Sequence, residues 1–279
     1  MAGATTGTTP RSREQILEHY QVEKELAQKL RRASREQRRG LYTEVYDELL
    51  KRVRHHPLLH AVRTPEDIEQ TVNENLAHLA PYISRNTVFL EIGAGGCQLS
   101  LALTERVKHV IAVDVSNEIT AHVQPPPNFE LVISNGTNIP VPPGSIDVAF
   151  SNQLMEHLHP DDASEQLREI YTALAPGGTY LCFTPNSMSG PHDVSRGFDS
   201  VATCLHLHEY TVSEIDRMFK HVGFRHMQAI LPRAHMRVPA SALKALESCV
   251  SALPGSLSRK LAYSWPMRGI LGIRIVAWK

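Results

Sequence analysis

The 279-residue sequence predicts an α/β fold: a mostly parallel sheet with helices on both faces, preceded by a helical segment. Three observations predict it. From Thr87 onward, short apolar runs alternate with stretches of helical periodicity. Between the first two of these runs, Gly93, Gly95 and Gly96 break the chain into a tight turn. Before Thr87, apolar residues recur three and four apart with no strand-like run, so the sheet begins only there.

The elements follow in order. Residues 1–10 are small, polar and closed by a proline, and they bury too little surface to offset their ordering cost; they are expected to be a disordered tail. Residues 11–85 are expected to form a helical cap of three helices. Ile16, Tyr20, Ala27 and Leu30 share one face, Leu41, Tyr42, Val45, Tyr46, Leu49, Leu50 and Val53 mark a second helix, and Ile68, Val72, Leu76 and Leu79 a third. Ser34 with Gln37 reads as a capping box, and Thr64-Pro65 as a helix start. The basic run Arg31, Arg32, Arg35, Arg38 and Arg39 is read as a solvated helix face.

Residues 86–279 are expected to form the catalytic domain. Its strands fall near 87–92, 109–113, 129–133, 146–151, 179–183, 224–231 and 270–278. Its helices fall near 98–106, 163–174, 212–222 and 239–253. Thr211 with Glu214 makes a second capping box. The connection 185–210 is long, with Gly190 and Gly197 within it, and is expected to act as a lid.

Bulk properties exclude some partners. Twenty-nine basic and 29 acidic residues give a formal charge of zero, which provides no field for a nucleic acid. Cys97, Cys182, Cys204 and Cys249 are far apart with no Cys-x-x-Cys pairing, against a disulfide framework or zinc ribbon. The start lacks the apolar core of a signal peptide, and no window approaches a membrane span. A cytoplasmic protein with a small-molecule partner, no membrane and no nucleic acid is expected; the oligomeric state is left open.

The turn Gly93-Ala94-Gly95-Gly96-Cys97-Gln98 lacks the third glycine of a dinucleotide fingerprint, and no lysine follows as in a phosphate-binding P-loop. What remains is a turn allowing close backbone approach, a carboxylate at its entrance (Glu91), and Asp114 at the tip of the second strand, able to accept from ribose hydroxyls. With these residues the chain resembles the class I methyltransferases that use S-adenosylmethionine, over about residues 87–231. In that family the E/D-x-G-x-G turn, here Glu91, Gly93 and Gly95, cradles the methionine portion, and the acid after the second strand, here Asp114, binds the ribose. "SNGTNIPVPPGSIDVAFSNQLMEHL" is similar to the family's third and fourth strand region. Asn135 stands where an acid usually contacts adenine, and its side-chain oxygen could still accept from the adenine amino group. "LAPGGTYLCFTPN" matches the Pro-Gly-Gly turn before the fifth strand. The resemblance implies S-adenosylmethionine as cofactor, contacted by Glu91, Gly93, Ala94, Gly95, Asp114, Val115, Asn135, Gly136, Thr137, Ser151, Asn152 and Gln153. It also implies a Rossmann-like seven-stranded sheet whose last strand is antiparallel. Cys97 is read as a packed thiol, with nothing basic beside it in sequence.

Methyl transfer is an in-line displacement in which positioning does most of the work. A hydroxyl acceptor also needs a base, and His157, His192 and His208 fall on the ligand side of the sheet. The expectation is an O-methyltransferase acting on a hydroxyl of a sugar or natural product, with one of these histidines as base. The alternatives are N- or C-methylation, or a non-catalytic S-adenosylmethionine-binding partner protein. Asp161, Asp162, His157, His159, His192 and Asp193 offer a metal set, but Pro160-Asp161-Asp162 reads as a plain helix start, and no metal is expected. The Asn/Asp-Pro-Pro-aromatic tetrad of base-methylating members is absent after the fourth strand.

Overall fold

The computed structural model describes residues 11–60, 64–115, 125–232 and 236–279; the expected tail, residues 1–10, lies outside them. Four helices come first: α1 (Arg13–Arg32), α2 (Arg35–Arg52), the short α3 (Pro57–His60) and α4 (Pro65–Leu79). The capping boxes at Ser34 and Thr64 form, with Gln37 and Asp67 as their reciprocal partners, and Ser12 with Gln15 adds a third. Each satisfies amide donors that a helix start leaves unpaired.

The sheet then builds from β1 (Val88–Ile92), β2 (His109–Asp114), β3 (Phe129–Ile133), β4 (Ile146–Asn152), β5 (Leu174–Thr184), β6 (His226–Ile230), β7 (Arg237–Pro239) and β8 (Ile273–Trp278). Their spatial order is β3-β2-β1-β4-β5-β8-β6-β7. The first five pair in parallel, and β8 inserts antiparallel to both β5 and β6. Crossovers run outward in opposite directions from β1 and β4, which makes the crevice at their carboxyl ends the switch point where such sheets bind ligands. The helices interleaved with the strands are α5 (Gln98–Leu103), α6 (Pro160–Ala173), α7 (Val212–Val222), α8 (Ala240–Ser251), α9 (Gly255–Tyr263) and α10 (Met267–Leu271).

The sheet differs from expectation at its far edge. Among the described residues it has eight strands, because the short β7 pairs with β6; three residues ending in a proline carry too little alternation to be legible. The last strand starts at Ile273 instead of residue 270, since α10 takes the apolar residues before Gly272. Helix α9 was not expected.

Packing follows the strand alternation. Leu90 and Ile92 face one core with Ala163, Leu167 and Ile170 of α6 and with Leu26, Val45 and Leu49 of the N-terminal helices. Phe89 faces the other, with Leu76 and Leu79 of α4 and Leu99 and Leu103 of α5.

The N-terminal basic run is not a plain solvated face. Arg38 is 3% exposed and grips Asp162, 1% exposed, through Nε–Oδ2 at 2.6 Å and Nη2–Oδ1 at 2.8 Å. Arg31 donates to the carbonyls of Thr203, Cys204 and His206. The expectation failed because spacing places a side chain on a helix but not against its neighbour. Arg32, Arg35 and Arg39 are exposed, as expected.

Candidate functional site

The glycine turn leaves β1 with Gly93 at φ 72° and Gly95 at φ 50°, both left-handed, and Cys97 enters α5 at φ 57°. A Cβ at Gly93 would stand 3.0 Å from Leu154 Cδ1, so glycine is needed for close approach as well as for φ. A Cβ at Gly95 would meet nothing within 4 Å: the turn opens onto free space. Asp114 fixes its shape, accepting from the Gly95 amide at 2.7 Å and the Val115 amide at 2.7 Å on separate oxygens.

Glu91 stands in β1 two residues before Gly93, at the entry to the turn. It is 8% exposed, accepts from the Ser100 hydroxyl at 2.5 Å, and is pushed up to about 7 by burial. Cys97 is a packed thiol as expected, fully buried and raised to about 12 by desolvation.

The loop after β3 is held by Asn135, whose Oδ1 accepts from the Thr137 amide and hydroxyl and from the Asn138 amide at 3.0–3.1 Å. That oxygen therefore organises the turn. Gly136, at φ 97°, has the Tyr42 ring 3.0 Å from where a Cβ would be, and its carbonyl accepts from Gln166. Helix α2 thus lies across the cofactor-type loops: Tyr42 donates to Asp162 at 2.6 Å, Thr43 reaches the Val115 carbonyl, and Tyr46 meets His157 at 3.0 Å.

The residues after β4 divide. Ser151 is buried and bonded to the Tyr180 hydroxyl at 2.7 Å, inside the sheet. Asn152 and Gln153 line a cavity of about 200 Å³ at the carboxyl ends of β4 and β5, together with Phe183, Ser189, His192, Arg268 and Arg274.

The three candidate histidines are placed differently. His192 faces this cavity. Its Nδ1 lies 3.1 Å from Glu209 Oε2 and its Nε2 3.2 Å from Ser189 Oγ. Glu209 is held near 2: burial alone would raise it, but hydrogen bonds from His192 and His206 outweigh that. An ionised carboxylate can only accept, so His192 donates from Nδ1 to Glu209 and turns Nε2 away from it, towards Ser189 Oγ. His157 lies deeper, between the Leu205 carbonyl and Tyr46, and is depressed to about 4 by burial and the nearby His206. His208 pairs with Glu214 at 3.2 Å and is absent from the cavity wall.

Glu209 was missed from sequence, although it directly follows His206-Leu207-His208 and an acid beside paired histidines is a readable signal. Arg268 and Arg274, distant in sequence, carried none. Of the residues set against a metal, Asp162 is paired with Arg38, His159 caps α6 and lies 3.5 Å from Asp161, and Asp193 caps a turn at Ser195.

The connection 185–210 is tied to α1. Besides the Arg31 contacts, Glu23 accepts from the Leu205 amide, and Lys24 and Tyr20 reach Asp199 at 2.9 and 2.8 Å.

Comparison with known proteins agrees with this geometry. Residues 90–182 match the family described as "Methyltransferase domain". Over 136 residues the chain is 29% identical to a probable S-adenosylmethionine-dependent methyltransferase of Mycolicibacterium smegmatis, covering 48% of this chain and 51% of that protein. Over 131 residues it is 30% identical to a malonyl-[acyl-carrier protein] O-methyltransferase of Xylella fastidiosa, covering 45% and 42%. The chain thus spans about half the length of the curated relatives it matches. A solved S-adenosylmethionine-dependent methyltransferase from Mesorhizobium loti shares the fold, with a TM-score of 0.50, 15% identity and coverage of 76% of this chain and 100% of that one. The chain carries a class I S-adenosylmethionine-dependent methyltransferase domain, and S-adenosylmethionine is the cofactor of that class. Among the described residues no helix is long and apolar enough to cross a membrane.

Proposed function

We propose that this protein transfers a methyl group from S-adenosylmethionine to a hydroxyl of a small-molecule acceptor, a sugar or natural product, seated in the cavity beside His192. The observation that carries the reading is His192 itself: a cavity-lining imidazole oriented by an ionised carboxylate, with its Nε2 on the side away from Glu209.

The residues present fit the cofactor. The open face of the turn at Gly95 admits a nucleoside and its amino-acid tail, the Asp114 carboxylate stands at the end of β2 beside that turn, and the Asn135–Thr137 loop supplies a shaped edge for the base. Ala94, Val115, Gly136, Asn152 and Gln153 lie on the same side of the sheet. S-adenosylmethionine, when bound, supplies a methyl group on a sulfonium that is open to in-line displacement.

His192 Nε2 takes the acceptor's hydroxyl proton as the new O–C bond forms, and Glu209 steadies the resulting imidazolium through Nδ1. The cavity walls, Asn152, Gln153 and Phe183 among them, fix the approach direction. The relative that O-methylates malonyl-[acyl-carrier protein] supports oxygen as the accepting atom.

The test has two parts. Calorimetric titration of S-adenosylmethionine should show one site in the native chain and a large loss of affinity in Asp114→Ala. A methyl-release screen over hydroxylated metabolites should then find an acceptor whose turnover falls by about 10²–10⁴ in His192→Ala with cofactor affinity unchanged. Equal turnover in native and variant protein would remove His192 as base.

A further inference from the structure

We propose that Glu156, His157 and His206 form a site for one divalent first-row transition-metal ion, at the carboxyl ends of β4 and β5. Each residue offers one ligand atom, and the three atoms lie within 4.8 Å of one another. The proposal goes beyond methyl transfer and does not depend on the acceptor.

The carboxylate is the first argument. Glu156 is wholly buried; its Oε2 accepts from the Thr184 hydroxyl at 2.8 Å, while Oε1 has no hydrogen-bond partner among the described residues. A buried carboxylate oxygen left unpaired is costly, and it calls for a cation.

The imidazoles give the second. His157 Nδ1 lies 3.1 Å from the Leu205 carbonyl, and His206 Nδ1 lies 2.7 Å from Glu209 Oε1. Carbonyl and carboxylate oxygens only accept, so His206 donates from Nδ1 to Glu209, and His157 Nδ1 faces the Leu205 carbonyl with the Tyr46 hydroxyl 3.0 Å away; Nε2 is the ring atom each leaves for a metal, which binds by displacing any proton there. This is the arrangement of metal-bound histidines, whose second nitrogen donates to a carbonyl or carboxylate and so fixes the ring. The two rings meet edge to face with centroids 4.8 Å apart.

Two imidazoles and one carboxylate suit zinc, cobalt or iron(II) better than magnesium or calcium, which prefer oxygen alone. Ligand bonds of about 2.1 Å put tetrahedral ligand atoms ~3.4 Å apart, within reach of small rotamer changes from the present spacing. Three protein ligands also leave a position open to water or an acceptor oxygen.

The other ligand-type clusters have their carboxylates engaged within the protein. In the group His19, Glu23 and His56, His19 Nδ1 is bonded to Arg11 and Glu23 takes His19 and the Leu205 amide. In the group Glu23, Asp193 and Cys204, the Asp193 oxygens take the amides of Ser195, Cys204 and His206.

The experiment uses the untagged full chain, stripped with chelator and dialysed. It is titrated with cobalt(II) under visible absorption and, separately, equilibrated with zinc for elemental mass spectrometry. The expected result is one equivalent of metal with cobalt bands of an imidazole-containing site. Glu156→Gln and His206→Ala should each weaken binding at least tenfold, and His19→Ala should not; circular dichroism confirms that each variant folds. Metal that washes out of the native chain would overturn the site and leave a proton on His206 as the cation facing Glu156. Loss of metal in His19→Ala with retention in His206→Ala would overturn it equally.

Discussion

Replacing Arg38 with Ala measures how firmly the N-terminal helices are seated on the methyltransferase domain. Asp162 is 1% exposed and its carboxylate accepts three hydrogen bonds, two from Arg38 at 2.6 and 2.8 Å and one from Tyr42 at 2.6 Å. Arg38→Ala leaves that carboxylate buried with a hydroxyl as its remaining side-chain donor. Removing one member of a buried, well-formed pair costs about 3–5 kcal/mol. For a chain of this size that corresponds to a melting-temperature drop of roughly 6–20 °C. Removing both charges, as in Arg38→Met with Asp162→Leu, should recover most of the loss, because a buried ion pair adds little over apolar residues of similar volume.

The pH dependence has a definite sign. Burial alone would raise the Asp162 carboxyl, but its bonds from Arg38 and Tyr42 outweigh this and hold it below its ordinary value. The pair's contribution is therefore fully present above the ordinary carboxylate pKa and is lost as pH falls through the lowered one. The gap between native protein and Arg38→Ala should narrow towards acid. Urea unfolding at several pH values is the assay. A loss under about 1 kcal/mol at neutral pH would refute the reasoning, since it would mean that α2 is not docked against α6 in solution.

Three further outcomes are expected. Gly136→Ala, at φ 97° with the Tyr42 ring 3.0 Å from the new Cβ, should cost about 1–3 kcal/mol and weaken S-adenosylmethionine binding; unchanged stability by urea titration would place Tyr42 elsewhere. Glu91→Gln should gain stability relative to the native protein as pH rises from 5 to 8: the native carboxyl, raised to about 7, contributes fully below its ordinary pKa and loses that contribution as pH climbs through 7, by up to about 3 kcal/mol. A gap independent of pH would show that Glu91 is ionised without penalty. Glu209→Gln should lower turnover in step with His192→Ala while leaving S-adenosylmethionine affinity intact, because it removes the negative charge that steadies the His192 imidazolium and one of the two oxygens that accept from His192 and His206; a methyl-release assay reads it.

Much of this protein is decided locally, and those parts were readable in sequence. The strands β1 to β5 are apolar runs of the length a buried parallel strand requires, and the boxes at Ser34 and Thr211 depend on residues three apart. The glycine turn is equally local: left-handed φ at Gly93 and Gly95 is a property of the residue, and Asp114 reaches back to Gly95 because parallel pairing aligns the ends of β1 and β2.

What needed the tertiary structure is every property set by a partner distant in sequence. Arg38 reads as a surface residue until Asp162, 124 positions away, is brought beneath it. His157, His192 and His208 are chemically equivalent in the sequence; they separate only when Glu209, Tyr46 and the cavity wall give each a different neighbour. The convergence of Glu156, His157 and His206 likewise depends on the connection 185–210 folding back over the end of β4, where α1 holds it. Residue type and short spacing fix backbone conformation and burial pattern, whereas proton location, charge pairing and site geometry depend on distances of a few ångströms between segments, which a linear chain does not carry.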